Sequence, residues 1–233
     1  MINVIIAGRW PKTPAYSAHA APVNLHLSKF AGRNNVITLY DLPLSLNCYK
    51  VRLLLSMLGV DYKRHTIDLM NGAHQTPEFV ALNSFGQVPV LQEGALLLRD
   101  SQAILVWVAR KFGNEQWMPR EADQEAVVNA WLAAAAYELR LGPYDARLAK
   151  HFPVLCVNYH AVRQHTDRAL RLFEDRLQGR EWLALDHPTV ADLAAYPALA
   201  HCGDGDISLE GYGAIQAWLA RVGALPGFIG LLD

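Results

Sequence analysis

A small α/β domain followed by an all-helical one is the fold class that the sequence predicts. Three observations carry the prediction. From Val36 to Phe112 short β-type runs alternate with stretches at helical spacing, Gly113 to Arg120 then breaks the pattern at Trp117-Met118-Pro119, and beyond the break every periodic stretch is helical. The α/β part spans about 80 residues and the helical part about 110, each long enough to bury a core of its own.

The elements follow in order. Ile37 to Tyr40 is a short β-type run closed off by Pro43, after which Val51, Leu54, Leu55 and Leu58 recur at helical spacing until Gly59. Asp61 to Asp68, with apolar Tyr62 and Ile67, reads as a second strand, followed by a polar loop from Asn71 and a short helix opening at Pro77. Val88 to Leu91 and Ala95 to Leu98 flank Gln92-Glu93-Gly94, a hairpin signal, and Ser101 opens a helix through Ile104, Val106, Trp107 and Val108. The order is therefore βαβαββα.

In the helical part Val127, Trp131, Leu132 and Ala135 share a face of one long helix. Val162, Ala169, Phe173 and Leu177 share the face of another, with Arg163, Asp167, Arg171 and Asp175 opposite. Two more helices fit Val190 to Ala200 and Ala214 to Val222. The division expected is 36–116 for the α/β domain and 117–233 for the helical domain. Residues 1–35 hold Arg9, Lys12, Lys29 and Arg33, no acid and no sustained periodicity, and read as an irregular N-terminal extension. Ile2 to Ala7 is too brief for a signal peptide, and an upstream start or a simple tail fits this acid-free stretch better than a basic transit peptide.

Composition narrows the function classes. With 52% apolar and 18% charged residues the chain is globular, and a formal charge of −1 supplies no field to recruit nucleic acid or an anionic membrane. A small-molecule partner is the better expectation. Cys48, Cys156 and Cys202 are odd in number and far apart, with neither a C-x-x-C pair nor a zinc-ribbon spacing, which fits a reducing, cytoplasmic compartment. The purest apolar stretches, Ala103 to Ala109 and Trp131 to Tyr137, are too short to span a bilayer.

Three places hold residues suited to chemistry. Ser45-Leu46-Asn47-Cys48 stands where the first loop enters the first helix; Ser45 or Asn47 serves either as a plain cap or, with the helix N-terminus, as an anion holder. Gly86-Gln87-Val88-Pro89-Val90 puts a proline at the start of a strand, where a cis bond turns the backbone of Val88 outward for an extended peptide to pair with. Asp100-Ser101 opens the helix after the hairpin and is again a cap when read alone. Together, two capped helix openings and an exposed strand edge make a site for a short peptide bearing carboxylates, with Asp100 available to an amine.

With these residues in place, 36–233 resembles a cytosolic glutathione transferase, over about 85% of the chain. The most specific match is Asn71-Gly72-Ala73-His74-Gln75-Thr76-Pro77-Glu78-Phe79 followed by Asn83-Ser84-Phe85-Gly86-Gln87-Val88-Pro89-Val90-Leu91. The resemblance is nearest to the serine-type members, theta and plant phi, and their bacterial relatives. It implies a thioredoxin-like N-terminal domain before the helical one, glutathione as co-substrate, no metal, a homodimer, and transfer of the glutathione thiolate to small apolar electrophiles.

Carried over by position, Ser45 matches the serine that hydrogen-bonds the glutathione sulfur, and Asn47 a polar residue that assists in some bacterial relatives. His74 and Gln75 match contacts to the glycyl carboxylate. Gln87 and Val88 match the pair that reads the peptide, and Asp100 and Ser101 match the γ-glutamyl contacts. The family usually has Glu where Asp100 stands and often Lys where Gln75 stands. The resemblance also places Trp131, Tyr137, Leu141 and Tyr144 at the electrophile pocket, with plain helix packing as the competing reading for each.

Cys48 invites a second reading, because another bacterial class uses a cysteine in this region to form a mixed disulfide with glutathione; a glutathione-dependent disulfide reductase or isomerase is the activity that goes with it. A third is an interaction module that keeps the fold without turnover. Elsewhere, Cys156 and His160 at i, i+4 with His165 lack the carboxylate or second pair that completes a metal site, Asp204 and Asp206 lack a calcium-loop spacing, and Thr189-Val190-Ala191-Asp192 reads as a capping box with a folding role.

Overall fold

A computed structural model of the chain describes residues 36–151 and 158–233. The expected extension, 1–35, and Cys156 lie outside the described residues.

The α/β half runs β1 (Ile37–Asp41), α1 (Leu46–Met57), β2 (Tyr62–Thr66), α2 (Pro77–Leu82), β3 (Val90–Glu93), β4 (Leu96–Arg99) and α3 (Ser101–Phe112). Its four-stranded sheet has the order β2-β1-β3-β4, with β1 parallel to β2 and the other pairs antiparallel. The helical half runs α4 (Ala122–Leu139), α5 (Asp145–His151), α6 (Tyr159–Leu177), α7 (Val190–Ala200) and α8 (Gly213–Gly223). The fold is thus a thioredoxin-like βαβαββα domain followed by an all-helical domain, as the sequence predicts.

Local chemistry sets the boundaries. Ser45 caps α1, its Oγ accepting from the Cys48 amide at 3.3 Å, and Thr76 caps α2 with Pro77 at the first helical position, where no amide donor is needed. In α7 the capping box is complete. Asp192, fully buried, accepts from the Thr189 and Leu183 amides and from Trp218 Nε1, each at 2.9 Å. The hairpin turn sits later than the sequence suggests: Gln92 and Glu93 pair with Leu97 and Leu96, and Gly94 takes the left-handed position at φ 59°.

Two differences in the helical half have plain causes. In α4 the buried stripe is Val128, Leu132, Ala135 and Leu139, while Val127 is exposed and Trp131 only partly buried. Adjacent valines in a helix rich in alanine leave periodicity unable to choose between neighbouring faces. A wide turn, Arg140–Tyr144, then bends the chain into α5, because Gly142 and Pro143 interrupt the helix. A Cβ on Gly142 meets the Thr166 Cα of α6 at 2.9 Å, so only glycine allows the bend to lie this close.

One core runs through both halves, from Leu39, Leu53 and Ile104 to Phe173, Leu193 and Trp218. Helix α1 is at its centre and is buried nearly all round; Tyr49 meets Tyr196 and His201 edge-to-face. The last residues return to this helix. Tyr49 Oη donates to the Ile229 carbonyl at 2.7 Å, and Ser56 Oγ to the Gly227 carbonyl at 2.8 Å.

Candidate functional site at the shared end of the sheet

Strand register decides where the candidate residues go. Tyr40 pairs with Val90, Val90 with Arg99, and Asp41 with Thr66. The exits of β1, β2 and β4 and the entrance of β3 therefore lie at one end of the sheet. The segments that follow or precede them carry Ser45, His74 and Gln75, Gln87 and Val88, and Asp100 and Ser101 to that end.

The opening of α1 is held from behind. Arg52 donates to the Pro43 carbonyl at 3.0 Å and to Asp41 Oδ1 at 2.7 Å, fixing the loop just before Ser45. The Ser45 oxygen accepts the Cys48 amide, which keeps its O–H available as a donor, with the Tyr144 phenol as its neighbour. One turn on, Asn47 and Lys50 lie three residues apart and line the same cleft.

The opening of α3 is unusual. Asp100 holds φ 72° and ψ 121°, a region that costs a non-glycine residue about 1–3 kcal/mol, and its Oδ1 accepts from the Gln102 and Ala103 amides at 2.9 and 3.1 Å. Ser101 beside it is buried.

His74, Gln75, Gln87 and Val88 form a separate platform. The side chain of Asn83, itself buried, donates to the Gln87 carbonyl at 2.8 Å and accepts the Phe85 amide at 3.1 Å, so Asn83 shapes the turn before the strand. The Val88–Pro89 peptide is cis. Val88 packs with Ile67, Phe79 and Val90 in a small second core. The His74 ring contacts the Gln75 side chain at 3.2 Å, and partial burial lowers its pKa below the usual histidine value.

Between the halves lies a cleft. The α/β side supplies Leu46, Asn47, Lys50, Asp100, Ser101 and Gln102; the helical side supplies small apolar residues from α4 and α7, then Leu139, Arg140 and Tyr144. Of the residues expected at an electrophile pocket, Tyr144 lines this cleft and Trp131, Tyr137 and Leu141 are not among its lining residues. Trp131 stacks edge-to-face on Phe173, and Tyr137 is 61% exposed. Burial pushes the Tyr144 phenol upward, opposed by the Arg140 charge and, more weakly, by hydrogen bonding with Ser45. Ser45 is not itself a lining residue; it directly precedes the lining pair Leu46 and Asn47.

Lys50, Asn83 and Arg140 escape the sequence reading. Asn83 stands inside the quoted motif without a distinguishing mark, and Arg140 looks like an ordinary helix-end cation. Lys50 carries one faint signal, a charge set directly between apolar Tyr49 and Val51, with Arg52 two residues on.

Cys48 is not placed for redox work. It is fully buried, its Sγ accepts the Leu42 amide at 3.4 Å, and burial together with the Asp41 carboxylate pushes the thiol up to about 12. Among the described residues no three His, Cys, Asp or Glu side chains gather as a metal site, and no helix is long and apolar enough to cross a membrane. Asp204 and Asp206 instead pair with Arg147 and Lys150 of α5.

Comparison with known proteins agrees with this geometry. The glutathione S-transferase N-terminal domain family matches residues 35–110, and the C-terminal domain family matches 158–226. Glutathione S-transferase 3 of Zea mays is 31% identical over 206 residues, 82% of this chain and 91% of the relative. Glutathione S-transferase theta-1 of Mus musculus is 30% identical over 202 residues, 82% of this chain and 84% of the relative. Among solved structures, a glutathione S-transferase from Pseudomonas fluorescens aligns with a TM-score of 0.80 at 30% identity, covering 85% of this chain and 100% of the other. Two joined domains in the right order, a capped helix at the sheet end and relatives matched along most of their length lead to one statement: the chain belongs to the glutathione S-transferase family of enzymes.

Proposed function

We propose that the protein binds glutathione at the shared end of the sheet and transfers its thiolate to small electrophiles seated against the helical half, with the Ser45 hydroxyl as the donor that keeps the sulfur ionised. The observation that carries this is the state of Ser45. Its oxygen caps α1 while its O–H, which in the unliganded protein has the Tyr144 phenol as a neighbour, is a donor beside Leu46 and Asn47 of a cleft lined also by Asp100, Ser101 and Tyr144.

The magnitudes are adequate. Lowering a thiol pKa from about 8.5 by roughly two units needs about 2.7 kcal/mol. A hydroxyl hydrogen bond to a charged group supplies about 1.5–3 kcal/mol. The helix N-terminus adds roughly 0.3–2 kcal/mol. The thiol proton leaves to solvent, the sulfur lone pair forms the C–S bond, and the electrophile releases its leaving group with the bonding electrons or, in an addition, takes up a proton. Ser45 acts as a donor throughout and forms no covalent intermediate.

The same reading assigns His74 and Gln75 to the glycyl carboxylate, Gln87 and the Val88 backbone to the peptide, Asp100 and Ser101 to the γ-glutamyl end, and Asn47 to support of the sulfur. It makes the protein a serine-type member. Small walls, Ala135, Ala136, Ala194, Pro197 and Ala198, favour a compact apolar electrophile. The domain division is 36–116 and 117–233, supported by the Val190 amide donating to the Trp117 carbonyl across the second domain at 2.9 Å. A cytoplasmic homodimer completes the proposal; the free thiols of Cys48 and Cys202 suit a reducing compartment, and exposed Leu97 on the edge strand and Val127 on α4 offer apolar surface.

The test is a glutathione titration followed by thiolate ultraviolet absorbance. Wild type is expected to bind and to lower the thiol pKa by about two units, and Ser45→Ala to bind with the pKa back near 8.5. An unshifted thiol in bound wild type removes the role of Ser45.

A further inference from the structure

The α3 opening and Lys50 pose one electrostatic problem together. A helix N-terminus normally offers free amides to an incoming anion, but here Asp100 already occupies the Gln102 and Ala103 amides with its own carboxylate. A carboxylate arriving at this point meets the Asp100 charge and a helix end with two of its amides already taken. A nearby cation offsets that charge.

Lys50 is that cation. It is only 5% exposed, lines the same cleft as Asp100 and Ser101, and forms neither a hydrogen bond nor an ion pair among the described residues. Burying an ammonium without a partner costs several kcal/mol, so its retention inside α1 calls for an anion that the described residues do not supply. Asp100 is the acid whose field reaches it most strongly, yet the two form no ion pair although they line one cleft. Burial draws the ammonium down to about 8, which still leaves it charged at neutral pH.

Resting on the glutathione reading above, we propose that Lys50 binds the free α-carboxylate of the γ-glutamyl group while Asp100 takes the α-ammonium, so that the cleft selects peptides ending in an α-amino-acid zwitterion. Each charge of the zwitterion then meets its opposite. Ser101 donates its hydroxyl to the same carboxylate. Oδ1 of Asp100 stays on the α3 amides and Oδ2 faces the ammonium, which gives a physical reason for holding Asp100 in a costly backbone conformation. Selectivity follows from the buried lysine: a ligand lacking the α-carboxylate leaves the ammonium unpaired in a desolvated site.

Calorimetry on the full chain with two peptides tests this. One is glutathione; the other is 4-aminobutyryl-Cys-Gly, which keeps the amine, thiol and glycyl carboxylate and lacks only the α-carboxylate. Wild type is expected to bind glutathione about 10- to 100-fold more tightly than the analogue. Lys50→Met is expected to fold, to lose the same factor on glutathione, and to bind both peptides equally, with the pKa of the bound thiol unchanged. Equal binding of the two peptides by wild type overturns the assignment, and needs no variant. Full discrimination retained in Lys50→Met overturns it too, and if the bound thiol pKa rises at the same time the lysine serves the sulfur instead. Wild type that binds neither peptide overturns the glutathione reading itself, and this assignment with it.

Discussion

Arg52 donates from Nη1 to Asp41 Oδ1 at 2.7 Å, and neither side chain is exposed to solvent. The pair joins the end of β1 to the middle of α1. The same guanidinium holds the Pro43 and Leu231 carbonyls, and Arg64 takes the other Asp41 oxygen at 2.5 Å. Arg52→Met leaves these acceptors short of donors in a dry site. The expected cost is about 3–5 kcal/mol, seen as a lower midpoint in urea, and Lys in its place restores little because one ammonium does not reproduce the fork.

Lys50 offers a test with a definite sign. Its folded pKa of about 8 lies below the ordinary 10.5, so between these values the unfolded chain holds a proton that the folded chain does not. The penalty is complete below pH 8 and disappears as the pH rises toward 10.5. Lys50→Met should therefore be more stable than wild type at pH 7, by on the order of 2–3 kcal/mol, with the gain shrinking toward pH 10. Cys48 and Cys202, pushed up to about 12 and about 11, make stability fall above pH 9 in both proteins and cancel in the difference. Melting curves of the two proteins across pH 7–10 check it.

Gly142→Ala should reduce transfer more than it reduces stability. The added methyl meets the backbone of Thr166, so the turn moves away from α6 and carries Arg140 and Tyr144 with it out of the cleft wall. A loss of about 1–3 kcal/mol in stability is expected. The rate with a chloronitrobenzene electrophile should fall by about tenfold or more, while glutathione affinity changes little.

Cys48→Ala separates transfer from disulfide chemistry. The thiol is buried and held neutral, so the variant should keep its transfer rate within about twofold and lose about 1–2 kcal/mol of stability. A glutathione-dependent disulfide reductase rate that vanishes in this variant while transfer persists contradicts the assignment of Cys48 to the core.

What the residues reveal in advance follows from which interactions are local. Ser45 and the Thr189–Asp192 box mark helix starts because a cap and its amides lie within four residues, and each caps its helix in the structure. The α4 face is misread by one residue because alanines on every side flatten the periodicity, and α5 goes unseen because Gly142-Pro143 reads as a stop instead of a bend. The site divides in the same way. Asp100 and Ser101 are legible as a helix opening, but Lys50 entering the cleft depends on α1 being enclosed by both domains, a nonlocal fact. Trp131 illustrates the converse: an aromatic on a suitable helix turns inward to Phe173 because the neighbouring helix offers a better-packed partner.

The single core beneath both cleft walls, clasped by the Tyr49–Ile229 and Ser56–Gly227 contacts, has one further consequence. The halves cannot part like jaws, since doing so tears hydrocarbon away from hydrocarbon along the whole of α1. Exchange at the cleft must proceed through its open mouth by small movements at the rim. The polar groups that greet an arriving peptide are aligned once, when the chain folds, and little reorganisation remains for each encounter.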